Sequence, residues 1–90
     1  MGTILHDAAA HQFSTEVDGH LAHVDYETSA GRIVITHTIV PEAIGGRGIA
    51  GALVRAALEY ARDHGLRVEP QCSYADVWMR RHPEFDALRA

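Results

Sequence analysis

Between His11 and Val17 the chain alternates. Phe13, Thr15 and Val17 fall on one side, and Gln12, Ser14 and Glu16 on the other, the period-two signature of a half-buried strand. Asp18-Gly19 follows, and Asp-Gly between two alternating runs predicts a tight hairpin, because both positions of such a turn need positive φ. A second run covers about residues 20–28, with Leu21, His23 and Asp25 opposite Ala22, Val24 and Tyr26. Ser29-Ala30-Gly31-Arg32 makes the next turn. Ile33 to Val40 is a nearly unbroken β-branched run, which reads as a central strand covered on both faces. Three antiparallel strands are therefore expected. Residues 1–10 have no clean period and are expected to form a flexible N-terminus ahead of a single domain over 11–90.

After Val40 the period changes. Leu53, Val54, Ala57, Leu58 and Ala61 recur at spacings of three and four, giving one apolar stripe on a helix from about Gly48 or Ile49 to His64. Arg55, Glu59, Arg62 and Asp63 fall largely on the opposite side, and Gly65 sits where a left-handed residue usually ends a helix. Leu66 to Glu69, ending at Pro70, is a short strand. A helix carries the chain back to it, so it should lie parallel to Ile33–Val40. Tyr74 to Arg81 can form a second helix, which stops before Pro83. The expected fold is α+β: a three-stranded antiparallel meander, a crossover helix to a parallel fourth strand, and a C-terminal helix.

The junction between the meander and the helix carries the candidate chemistry. Pro41-Glu42-Ala43-Ile44-Gly45-Gly46-Arg47-Gly48-Ile49-Ala50-Gly51 carries four glycines through the junction of a strand with a helix N-terminus. The first helical turn leaves backbone N–H groups unpaired and the dipole favours negative charge there, while glycine lets the chain approach an anion closely. This is a cradle for phosphate. Gly46 to Gly51 also satisfies G-x-G-x-x-G, with Glu69 downstream where a ribose-binding acid would stand. A dinucleotide fold, however, begins that motif directly at the strand end and repeats βαβ units. Here Pro41 to Gly45 intervenes and a single crossover follows three antiparallel strands, so a different pyrophosphate ligand is favoured.

Bulk properties narrow the choice. Ninety residues with a net charge of −4 suit one acidic domain and argue against a nucleic-acid surface. A single cysteine permits no intrachain disulfide, which suits a reducing cytoplasm. No apolar run reaches membrane-spanning length, and no basic-then-apolar leader opens the chain.

The residues H-T-I-V-P-E-A-I-G-G-R-G-I-A-G-A-L-V, then P-Q-C-S-Y and R-H-P-E-F, resemble the GNAT superfamily of acetyl-coenzyme A-dependent N-acetyltransferases, and within it the small single-domain Yjdj-type branch. The resemblance covers about Phe13 to Phe85. It implies that backbone N–H groups of Gly45, Gly46, Arg47, Gly48, Ile49 and Ala50 hold the phosphates of coenzyme A. It implies that the pantetheine arm runs along a splayed strand ending Ile39-Val40, whose amides polarise the thioester carbonyl. Ser73, beside Cys72, joins the cofactor-binding positions. Two departures stand out. Gly45 replaces the Arg or Gln that usually opens the loop, leaving Arg47 as its one charge. Where many members carry a tyrosine that protonates the leaving thiolate, Trp78 stands here, with Tyr74 nearby.

Cys72 is the leading candidate for chemistry. At a helix N-terminus its thiolate would be stabilised and could carry the acyl group or act as a base; the competing reading is a cysteine filling core space. Whether acetyl passes through it or moves directly to the acceptor is open. His37, inside the last meander strand, is the candidate for taking a proton from an amine, against a strand histidine simply held in place. Glu42 and Glu69 are alternative bases. The remaining histidines form no metal pattern: His20 and His23 point to opposite faces of a strand. The resulting expectation is acetyl transfer from acetyl-coenzyme A to a primary amine, on a small molecule or a protein lysine, with no nucleic acid or membrane partner. The alternative is a module that binds coenzyme A or acyl-coenzyme A without turnover.

Overall fold

The computed structural model describes residues 2–90. Strands β1 (Leu5–Asp7), β2 (Gln12–Val17), β3 (His20–Ser29) and β4 (Arg32–Ile39) lead through a short 3₁₀ turn at Glu42–Ile44 into helix α1 (Ile49–Asp63). Strand β5 (Arg67–Pro70), helix α2 (Ser73–Arg80) and a second 3₁₀ segment at Pro83–Leu88 complete the chain. The five strands form one sheet in sequence order, antiparallel from β1 to β4 and parallel between β4 and β5.

The hairpin at Asp18-Gly19 forms as its chemistry dictates, with φ of 51° and 77° at the two turn residues. Gly65, with φ of 66°, ends α1, and Leu66 N donates back to Ala61 O at 2.8 Å. The parallel strand after the crossover is also present. Two expectations need correction. The meander has four strands rather than three, so the sheet has five strands and not four. And β4 is covered on one face only: Ile33 and Ile35 are fully buried, while Arg32, Val34 and Thr36 are half-buried on the other side.

Both helices lie on the same side of the sheet. The α1 stripe Leu53, Val54, Ala57, Leu58 and Ala61 packs on Phe13, Ala22, Val24, Ile33 and Val68, and Ala75, Met79 and Phe85 join the same core. Each large side chain so buried contributes about 1.5–3 kcal/mol. α2 approaches α1 at Gly51, where a Cβ would meet Trp78 Nε1 at 3.0 Å. The outer edge of β5 is partly covered by the chain end, through Ala90 N donating to Val68 O at 2.9 Å.

The extra strand, β1, is held by aromatic contacts rather than by its own apolar pattern. The His6 ring stacks on Phe13 at 4.0 Å, meets Tyr60 edge-on at 4.6 Å, and its Nε2 lies 2.6 Å from Tyr26 Oη. Burial among these rings lowers the His6 pKa below its ordinary 6.5; Asp7 opposes that shift, and His64 and His11 add to it. The fold thus prefers neutral His6. Its contribution is complete above pH 6.5 and is lost as pH falls through 6.5 toward the lower folded value. The melting temperature should therefore drop on acidification from neutrality, and His6→Gln should show a smaller drop over the same range, measured by circular dichroism.

Candidate active site

The site is created by a disturbance in β4. Asp25 is in register with His37 and Tyr26 with Ile35, so Thr36 is an extra residue that β3 does not match. Such a bulge bends its strand and shifts every later side chain to the opposite face. Thr36 Oγ1 fixes it by donating to Asp25 O at 3.2 Å. Before the bulge Ile33 and Ile35 point at the helices; after it Thr38, in register with buried Val24, does so, and His37 points away.

β4 and β5 separate at the same level. Their pairing ends at Ile35 and Pro70, and Ile35 O then accepts from both Gln71 N and Cys72 N at 3.0 Å. The chain turns into α2 with Cys72 as its N-cap. From Thr36 onward β4 remains paired to β3, but its other edge has no strand beside it. Gly31 and Ile35 turn their carbonyls to β5. One inserted residue moves that alternation on, so the amides of Thr38 and Val40 face the open slot and Ile39 turns to His23 of β3.

Beyond the slot lies the glycine loop. Gly46 and Gly48 adopt φ of 75° and 77° on either side of Arg47, a left-handed alternation that aims successive amides into one concavity. Gly48 caps α1 with no side-chain hydrogen bond, and the amides of Gly46 to Ala50 have no partner among the described residues. The loop opens onto a cavity of about 300 Å³. Gly45, Gly46, Gly48, Ile49 and Ala50 line it, with Ile44 beneath and Val40 and Tyr74 as walls.

The other expected residues are spread around this centre. Cys72 is half-buried, with Sγ 3.4 Å from Thr38 Oγ1, the thiol donating to the hydroxyl. Burial raises its pKa, but hydrogen bonds from the Thr38 side chain and the Ala75 and Tyr74 amides outweigh that and hold the thiol below its ordinary 9.0. His37 is exposed on the opposite face of β4, with Nδ1 3.2 Å from Thr36 Oγ1. The two candidate catalytic side chains therefore flank β4 from opposite sides. Arg47 turns from the cavity to the β2–β3 turn, where its Nη1 donates to Asp18 Oδ2 at 2.7 Å. Ser73 is exposed in the first turn of α2 and does not line the cavity. Glu69 is held by Arg32 at 2.9 Å and Gln71 at 2.8 Å, and Glu42 is exposed. Among the described residues no group of three or more His, Cys, Asp or Glu is placed to hold a metal.

The contact of Thr38 with Cys72 and the direction of Tyr74 were not legible beforehand. Thr38 reaches Cys72 only because of the bulge. Tyr74, rather than Trp78, faces the cavity; Trp78 stacks on His82 at 3.6 Å and closes against α1. Burial raises the Tyr74 hydroxyl above its ordinary 10.0, and Arg81 partly offsets this. It is therefore protonated at neutral pH and able to donate.

Comparison with known proteins identifies the family in which this bulged strand and amide nest occur here. The family described as GCN5-related N-acetyl-transferase matches residues 12–88. The chain belongs to that family. Relatives named Protein NATD1 are 37% identical in mouse and 36% in human over 81 residues, which span 87% of this chain and 74% and 72% of theirs. The zebrafish relative of the same name is 33% identical over the same length. The fold is shared with a GCN5-like protein from Staphylococcus aureus solved by NMR, with a TM-score of 0.77 over 98% of this chain and 87% of that one at 24% identity. The chain is thus an acetyltransferase of GNAT type, and none of its helices is long and apolar enough to cross a membrane among the described residues.

The Thr38–Cys72 contact gives a direct test of the thiol's environment. The rate of Cys72 alkylation by iodoacetamide should rise with a midpoint below pH 9.0, and Thr38→Val, which removes one of the lowering hydrogen bonds, should move that midpoint upward.

Proposed function

We propose that the protein transfers an acetyl group from acetyl-coenzyme A to a primary amine. The observation that carries this reading is the alignment of the unpartnered amides of Gly46–Ala50 with the slot beside Thr38 and Val40. A diphosphate seated on the loop would send its thioester arm along the free edge of β4. The loop supplies binding through backbone N–H groups and the helix dipole. Arg47, engaged with Asp18, would contribute its amide rather than its guanidinium to that hold.

Within the slot, the amides of Thr38 and Val40 are the donors available to a thioester carbonyl that gains negative charge as the amine attacks. Donors fixed in a site from which water is excluded are worth most at that moment. Cys72 stands on the helix side of the slot with a lowered pKa, where its thiolate could act on the same carbonyl; Ser73 adds an exposed hydroxyl beside it. His37 lies on the other side, facing the route by which an acceptor would enter. The open sheet face leaves that route wide, which suits a lysine projecting from a protein or a small amine alike. A chain that grips coenzyme A and turns over nothing is the competing reading, favoured only by the absence of a walled acceptor pocket.

The two are separated by adding acetyl-coenzyme A and a panel of amines, and following free thiol and acceptor mass together. Acetylated amine with matching thiol release is expected. Cys72→Ala should lower kcat, and Gly48→Ala should raise KM for acetyl-coenzyme A, because an alanine at φ of 77° costs about 1–2 kcal/mol and disturbs the nest. Saturable coenzyme A binding with no thiol release for any amine would favour the non-catalytic module.

A further inference from the structure

The sheet face away from the helices carries a polar cluster that the acetyl-donor side does not use. Asp25 Oδ1 accepts from Gln12 Nε2 at 3.0 Å and from His23 Nδ1 at 2.8 Å. Gln12 is directly across from Asp25 on β2, and His37 is directly across from it on β4. His23 in turn stands across from Ile39, the β4 residue at the mouth of the slot, whose side chain is 47% exposed. An Asp25–His23 pair therefore lies on the open face, one strand in from the gap between β4 and β5.

We propose that His23, held by Asp25, is the base that accepts the proton of the acceptor amine, and that the acceptor reaches the slot across this open face. The proposal rests on the acetyl-transfer reading above. Its chemistry follows from the hydrogen bonds. A carboxylate that takes the Nδ1 proton of an imidazole fixes the tautomer, leaving the Nε2 lone pair as the proton-accepting atom. Nε2 of His23 has no partner among the described residues. His37, by contrast, bonds the Thr36 hydroxyl, and the Asp25 carboxylate across from it is engaged with Gln12 and His23 instead. Leu21 and Ile39, both exposed on the same end of the sheet, give the alkyl part of an amine an apolar surface next to that base.

The bulge makes the two halves of the reaction compatible. The thioester and Cys72 occupy the helix side of β4; the amine and His23 occupy the other. An alkylammonium gives one proton to His23 Nε2, directly or through one water. The free amine then attacks the thioester carbonyl carbon: the C–N bond forms, the C–S bond breaks, and the sulfur leaves with the electron pair. The second amine proton passes to the departing thiolate, and His23 returns the first to solvent.

Steady-state thiol release, with the amine varied at saturating acetyl-coenzyme A, tests this in the full chain. His23→Ala is expected to lose about 100-fold in kcat/KM for the amine, the scale of one general base, with KM for acetyl-coenzyme A unchanged. Added imidazole should restore part of the rate. His23→Gln, which keeps a donor toward Asp25, should show a similar loss with an unaltered melting temperature. Asp25→Asn should lower kcat about tenfold without imidazole rescue, since the ring's place is filled. Both His23 variants within about twofold of an active wild type would overturn the proposal and leave acetyl transfer standing. So would imidazole rescue of His37→Ala instead of His23→Ala, or a His23→Ala loss that imidazole does not touch and His23→Gln does not share. A wild type that binds coenzyme A yet releases no thiol with any amine would remove the acetyl-transfer reading, and the proposal with it.

Discussion

Thr36 is inserted into β4 opposite a single residue of β3, and its hydroxyl, donating to Asp25 O at 3.2 Å, keeps it there. A bulge bends its strand and breaks the regular alternation of its edge groups. β4 keeps its partnership with β3 and gives up β5, which ends at Pro70 and turns into α2 through Cys72. The unpaired edge is then available to a ligand instead of a strand, and the change of face places Thr38 beside Cys72. Without the inserted residue Thr38 would face solvent and His37 would point into the core.

The remainder of the fold holds this arrangement steady. The α1 stripe buries against the sheet, α2 packs closely on α1 at Gly51, and the chain end partly covers the outer edge of β5. The nest at Gly46–Gly48 uses two left-handed glycines to aim amides that no side chain caps. Leaving donors unsatisfied costs stability when they are buried. Here the loop opens onto a cavity, where water or an anion can meet them. The exposed Arg47–Asp18 pair ties the loop to the far hairpin but contributes little by itself, as surface ion pairs do.

What the sequence disclosed was local. Asp18-Gly19, Gly65, the alternation through β2 and β3, the helical stripe of α1 and the left-handed glycines of the loop each carry their own geometry. The features it concealed depend on contacts distant along the chain. Leu5–Asp7 has no pattern of its own and becomes a strand because His6 meets Phe13, Tyr26 and Tyr60. The β-branched run of β4 suggested two covered faces, yet Val34 and Thr36 lie on a face that no helix covers. The bulge itself has no marker in the run I-V-I-T-H-T-I-V, so neither the separation of His37 from Cys72 nor the approach of Thr38 could be read there. The direction of Tyr74 awaited the docking of α2.

Amide hydrogen exchange with and without coenzyme A tests most directly whether the free edge of β4 and the glycine nest form one binding surface. The amides of Thr38 and Val40 should gain protection together with those of Gly46 to Ala50, while the β1–β2 amides stay unchanged. Protection confined to the loop, or gained elsewhere with Thr38 and Val40 unaffected, would contradict the account.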